Sequence, residues 1–166
     1  MHSKVFQLLV DNTSGVLSRI SGLFSRRGYN IESITAGTTA DPKYTRITIV
    51  ATGDDEILEQ IEKQLRKLTD VRDIKELKPG SSVYRELAMI KVEADAVQRG
   101  QIMTIVDMFR AKIIDVADES LIIETTGNTQ KVDALIGLLQ GYTILEIART
   151  GIAGLTRGKD EVVYLP

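Results

Sequence analysis

Seven consecutive residues, Asp11-Asn12-Thr13-Ser14-Gly15-Val16-Leu17, combine the residue types and spacing in this sequence best suited to chemistry. An apolar run, Val5-Phe6-Gln7-Leu8-Leu9-Val10, leads into them. A helical pattern of Val16, Leu17, Ile20, Leu23 and Phe24 follows and is stopped by Gly28. The stretch therefore predicts a tight passage from a strand into a helix. Such a passage aims several unpaired backbone N–H groups at one point, at the positive end of the helix dipole. The chemistry on offer is recognition of a small anion, such as the carboxylate of an amino acid. Gly15, lacking a Cβ, lets a ligand come close to the backbone. Asn12 adds a side chain that both donates and accepts. These residue types also suit a plain helix cap made by Asn12, Thr13 or Ser14, and the stretch alone leaves both readings open.

Bond-making chemistry finds little support. The sequence has no cysteine, and its one histidine is His2, at a terminus. That removes thiol nucleophiles, thiolate metal sites and most histidine acid–base or metal chemistry. The acid pairs Asp54/Asp55 and Asp118/Glu119 fall where capping and turns call for acids. No Gly-x-Gly-x-x-Gly or Walker pattern is present, no histidine within the fold is available to activate a serine, and no lysine sits in an evident apolar pocket. The expectation is a chain with no catalytic residues, no metal ligands and no cofactor of its own.

The bulk numbers narrow the class. The 166 residues fit one domain of ordinary size or two small ones, and 43% hydrophobic residues suffice for a core. The net charge of −2 comes without a basic stripe or aromatic-interleaved patch, so no nucleic acid is expected. No apolar run reaches membrane-spanning length and no secretory pattern opens the chain, so no membrane is expected and a cytoplasmic setting is the default.

The elements that must hold the Asp11–Leu17 turn can be read in order. Lys4–Val10 predicts a strand with Phe6, Leu8 and Val10 on one face, and Gly15–Arg27 a helix. Tyr29–Thr39 and Tyr44–Thr52 predict an antiparallel pair around the turn Asp41-Pro42-Lys43. A helix opens at Gly53-Asp54-Asp55-Glu56 with an apolar stripe of Ile57, Leu58, Ile61, Leu65 and Leu68. Val71–Leu77, rich in charge, predicts an edge-like strand. The order is β-α-β-β-α-β, the ferredoxin-like split unit.

After Lys78-Pro79-Gly80-Ser81-Ser82, a linker by composition, the order returns. Strand Arg85–Val92, helix Gln101–Arg110, strands Lys112–Ala117 and Leu121–Thr126, helix Thr129–Gln140 and strand Thr143–Arg149 complete a second copy. Thr52-Gly53-Asp54 is echoed by Thr126-Gly127-Asn128, a shift of 74. The second copy opens with Glu93–Gly100, read as a turn without an Asn-x-x-Gly step, and is assigned protein contact or scaffolding. The expected domains are residues 1–78, a linker at 79–83, residues 84–158, and a tail at 159–166. The apolar, glycine-rich Gly151–Gly158 segment is expected either to dock on a partner or to fold back on its own domain.

At this point the sequence resembles a known family. Asp11-Asn12-Thr13-Ser14-Gly15-Val16-Leu17-Ser18-Arg19, then Gly22–Ser33 with its Gly28-Tyr29-Asn30-Ile31-Glu32-Ser33 block, resembles the amino-acid-binding ACT domain. With Asp54–Leu68 and the Arg149–Gly158 segment, the likeness narrows to the small regulatory subunits of acetolactate synthase. The resemblance implies an α+β fold of two ferredoxin-like βαββαβ domains, an N-terminal ACT domain and a C-terminal ACT-like one. It implies a non-catalytic regulatory subunit that activates a large subunit carrying thiamine diphosphate, magnesium and FAD. It also implies valine feedback inhibition of branched-chain amino-acid biosynthesis, and homodimerisation by side-by-side ACT domains with the effector at the seam. On that pattern Asn12, Gly15, Val16 and Leu17 match the loop holding the effector's head group. Asn30 and Ile31 match residues reaching in from the other subunit. The match is looser over the linker and second domain, particularly Asp95–Gly100.

Overall fold

The computed structural model describes residues 1–159. The elements are β1 (His2–Asp11), α1 (Val16–Arg27), β2 (Asn30–Thr38), β3 (Tyr44–Gly53), α2 (Asp55–Arg66), β4 (Val71–Leu77), β5 (Ser82–Glu93), α3 (Ala96–Met108), β6 (Lys112–Val116), β7 (Ser120–Gly127), α4 (Thr129–Leu139), β8 (Ile144–Arg149) and β9 (Ala153–Thr156). Two antiparallel sheets result, ordered β2-β3-β1-β4 and β6-β7-β5-β8. The expectation of two ferredoxin-like βαββαβ domains is met, and the charged strand β4 lies at a sheet edge.

The first core follows from period-two alternation. Phe6, Leu8 and Val10 of β1 face the same side as Ile47, Ile49 and Ala51 of β3. They pack with Val16, Ile20, Leu23 and Phe24 of α1 and Leu58, Ile61 and Leu65 of α2. Helix α1 ends where Gly28 takes a left-handed conformation, φ 66. Gly28 N–H then reaches the Ser25 carbonyl and Tyr29 N–H the Phe24 carbonyl, a Schellman-type close. The Phe24 and Tyr29 rings meet edge to face, 5.9 Å apart, as the apolar contact that accompanies it. The second core repeats the plan with Ile90, Val92, Ile102, Val106, Leu121, Ile123, Leu135 and Leu139.

The 74-residue echo has a steric cause. Asp54 caps α2 by accepting from Ile57 N–H, and Asn128 caps α4 by accepting from Lys131 N–H, both at 2.9 Å. A Cβ on Gly53 would come within 2.8 Å of Ile57 Cγ2, and one on Gly127 within 2.6 Å of Lys131 Cδ. In both units glycine makes room for the side chain that closes over the helix start.

Three differences from the sequence reading bear on the domain layout. Helix α3 begins at Ala96, not Gln101, because Asp95 and Gln98 form a capping box. Asp95 accepts from Val97 and Gln98 N–H, and Gln98 Oε1 accepts from Asp95 N–H. The linker is shorter than 79–83, since Ser82 already belongs to β5.

The third concerns the glycine-rich segment. The chain divides into a unit of Met1–Val83 joined by residues from Ile152 onward, and a second of Tyr84–Gly151. The segment thus folds back: its strand β9 pairs with β5 of the second sheet, while its contacts group residues from Ile152 onward with Met1–Val83. Ile152 is buried, Gly154 accepts a hydrogen bond from Gln7, and Arg157 bonds through N–H and Nε to the Ser81 and Gly80 carbonyls. Of the expected tail at 159–166, residues 160–166 lie outside the described residues.

Candidate functional site

The Asp11–Leu17 turn runs from the end of β1 into α1. Gly15 sits at φ 85, ψ −5, a left-handed conformation suited to glycine. The first helical bond, Arg19 N–H to the Gly15 carbonyl, is 2.9 Å. No side chain caps α1, and its first turn has no acid. Helices α2, α3 and α4 each carry a capping side chain: Asp54, Asp95 and Asn128. Among the described helices, α1 therefore alone presents its N-terminal amides without a side-chain partner. In the second domain Asp95 occupies the equivalent amides, so the anion-binding geometry does not recur there.

The turn lines a cavity of about 230 Å³. Val10, Val16 and Ile47 are buried residues of its wall, and Asn12, Gly15, Leu17 and Thr45 also line it. Leu17 is 48% exposed, an apolar side chain held out beside the opening. Apolar walls beside a few fixed polar groups suit a small aliphatic molecule with one charged end.

Asn12 is less free than the sequence suggests. Its N–H donates to the Lys43 carbonyl at 2.7 Å and its Nδ2 to the Pro42 carbonyl at 2.8 Å. Its donors tie the loop to the β2–β3 turn, which leaves the side-chain oxygen for other partners.

Asn30 and Ile31 do not join the cavity within one protomer. Asn30 pairs with Thr52 across β2 and β3, and its Nδ2 donates to Thr52 Oγ1 at 2.7 Å. Asp11, at the cavity, pairs with Tyr44. The two positions are at opposite ends of β3, roughly 25 Å apart at the usual strand rise. Ile31 is half-buried against its own domain's core. Within one protomer these two residues therefore stand apart from the turn.

Two ion pairs missed by the sequence reading hold the turn from the β4 side. Arg19 donates through Nε and Nη2 to Asp70 at 2.6 and 3.1 Å. Arg72 donates through the same atoms to Asp11 at 2.7 and 2.8 Å. The Asp70 carbonyl also accepts from Asp11 N–H at 3.0 Å. The Arg19 hydrogen bond holds the Asp70 carboxyl below the usual carboxylate range. These partners lie 51 and 61 residues apart, so no local spacing announces them.

Comparison with known proteins places this arrangement. Residues 6–73 match the family described as an AHAS small subunit-like ACT domain, and residues 85–158 match the family described as the small subunit of acetolactate synthase. The acetolactate synthase small subunit of Mycolicibacterium smegmatis is 51% identical over 151 residues, covering 91% of this chain and 89% of the relative.

The chain belongs to the acetolactate synthase small-subunit family.

The isozyme 3 small subunit of Escherichia coli is 43% identical over 156 residues, covering 93% of this chain and 96% of its own length. A crystal structure of the small subunit from Thermotoga maritima matches with a TM-score of 0.86 and 43% identity, over 96% of this chain and 99% of that one. This small-subunit chain is accordingly a non-catalytic, ACT-domain member of a two-part enzyme. Among its described residues no group of three or more His, Cys, Asp or Glu is arranged to hold a metal. No described helix is long and apolar enough to cross a membrane.

Proposed function

We propose that this chain activates the catalytic large subunit of acetolactate synthase in the cytoplasm and confers feedback inhibition by valine. Thiamine diphosphate, magnesium and FAD belong, in this reading, to the large subunit. One observation carries the effector assignment: α1 is uncapped and opens through left-handed Gly15 on an apolar cavity of about 230 Å³. The amides of the first turn receive the effector's carboxylate, while Leu17 and the cavity wall receive its branched side chain.

The place of β2 at the end of its sheet supports the dimer part of the reading. In the sheet order β2 neighbours β3 and is the outermost described strand on that side. Two copies joined along this edge bring Asn30 and Ile31 of one protomer toward the Asp11–Leu17 turn of the other. Valine then bridges two ACT domains and favours a dimer arrangement that activates the large subunit less. Effector and large subunit must weaken each other reciprocally, and a coupling of roughly 1–3 kcal/mol suffices for a useful switch.

Co-purification with the large subunit, then assay with and without valine, tests this function. The expected result is an activity raised by the small subunit and lowered again by valine. Activation without any response to branched-chain amino acids overturns the effector assignment.

A further inference from the structure

The Arg19 guanidinium has five donors, and Asp70 uses those on Nε and Nη2. Nη1 makes no hydrogen bond to the described residues. It is also the atom a Cβ on Gly15 would meet first, at 2.9 Å, ahead of Cζ at 3.7 Å. Side chains on a helix lean toward its N-terminus, and Arg19 reaches back one turn to stand over the residue that lines the cavity. The guanidinium, outside the cavity lining itself, is thus held by Asp70 close to Gly15, at the start of α1.

The second domain displays a similar use of an arginine, with its Nη1 also engaged. Arg149 grips Glu86 through Nε and Nη2 and gives Nη1 to a second carboxylate, Asp133, at 2.7 Å. Arg19 turns the same two nitrogens to one carboxylate, reaching both oxygens of Asp70, and has no second carboxylate among the described residues. Its planar fork, fixed by Asp70, presents the remaining N–H groups at little further cost in ordering.

We propose that Arg19 is a specificity-determining residue of the effector site, with Nη1 donating to the effector's carboxylate beside the α1 amides. This rests on the effector reading above and goes further by naming the side chain that selects a free α-carboxylate. Asp70 is the positioning residue that aims the guanidinium. The apolar cavity selects the side chain, and Arg19 selects the charged end.

Calorimetry with L-valine on the full chain tests the assignment, using wild type, Arg19→Gln and Asp70→Asn. Both variants break the same ion pair, but only Arg19→Gln removes the donor. The expected loss of valine affinity is roughly tenfold or more for Arg19→Gln, as for one charge-assisted hydrogen bond, and no more than about threefold for Asp70→Asn. Equal losses in the two variants, or none in Arg19→Gln, overturn the assignment and leave the pair a structural tie. A wild-type chain that binds no branched-chain amino acid overturns the effector reading instead. If Arg19→Gln melts below the assay temperature, Arg19→Lys replaces it. That variant loses the fork and should weaken valine at least as much as Asp70→Asn does, and wild-type affinity in it overturns the assignment.

Discussion

Gln7 and Gly154 are 147 residues apart in sequence, yet Gln7 Nε2 donates to the Gly154 carbonyl at 2.6 Å. Gln7 is 2% exposed, one of few buried polar side chains, and it faces away from the helices of its domain. Segment 152–157 therefore closes part of the first domain's helix-free sheet surface, against β3 and β4.

Replacing Gln7 by Leu removes the donor and leaves the Gly154 carbonyl without it. The expected cost is about 1–3 kcal/mol, as for a buried polar group left unsatisfied. Urea denaturation measures the loss. Hydrogen exchange should speed up at residues 152–157 before it does in α1 or α2.

Gly15→Asp should abolish valine binding while leaving activation of the large subunit in place. It adds a carboxylate where the ligand's own belongs, and its Cβ meets Arg19 Nη1 at 2.9 Å. The left-handed φ adds a backbone cost of about 1 kcal/mol. Calorimetry and the activation assay separate the two effects, and unchanged valine affinity refutes the placement of the site at this turn.

Acid should weaken the fold partly through Asp70. Its carboxyl titrates below its ordinary value of 3.8 in the folded chain because Arg19 stabilises the charged form. Such a group contributes stability that is present above the unfolded value and lost as pH falls through the lower folded one. Urea melts should therefore show wild type more stable than Asp70→Asn at pH 7. The gap should narrow once the pH drops below about 4. A gap that persists unchanged at pH 2 rules out this origin.

Arg149→Ala should destabilise the second domain strongly. Glu86 has 4% of its side chain exposed and relies on Arg149. Leaving that carboxylate buried and unpaired costs about 3 kcal/mol or more. The double variant Glu86→Leu/Arg149→Met should recover most of the loss, since no charge is then buried. Chemical denaturation of the three chains measures this.

Much of the fold was legible from periodicity. Alternation in β1 and β3 marked the face carrying Phe6, Leu8, Ile47 and Ile49, and the stripe Leu58–Ile61–Leu65 marked α2. The start of α3 was misread because Gly100, a residue that usually punctuates, stands inside the helix. The Asp95-x-x-Gln98 box was the signal that could have corrected it. Four of the six expected site residues, Asn12, Gly15, Val16 and Leu17, line one cavity. Arg19, Asp70 and Arg72 were not legible, because their roles depend on partners in distant elements. The destination of segment 152–157 was hidden for the same reason, since composition cannot say which domain a segment returns to.

The two bonds from Asn12 to Pro42 and Lys43 join residues 11–15 to the bend between β2 and β3. A shift of the loop must either carry that bend with it or break both bonds. The turn is thus coupled to the β2–β3 bend through main-chain carbonyls.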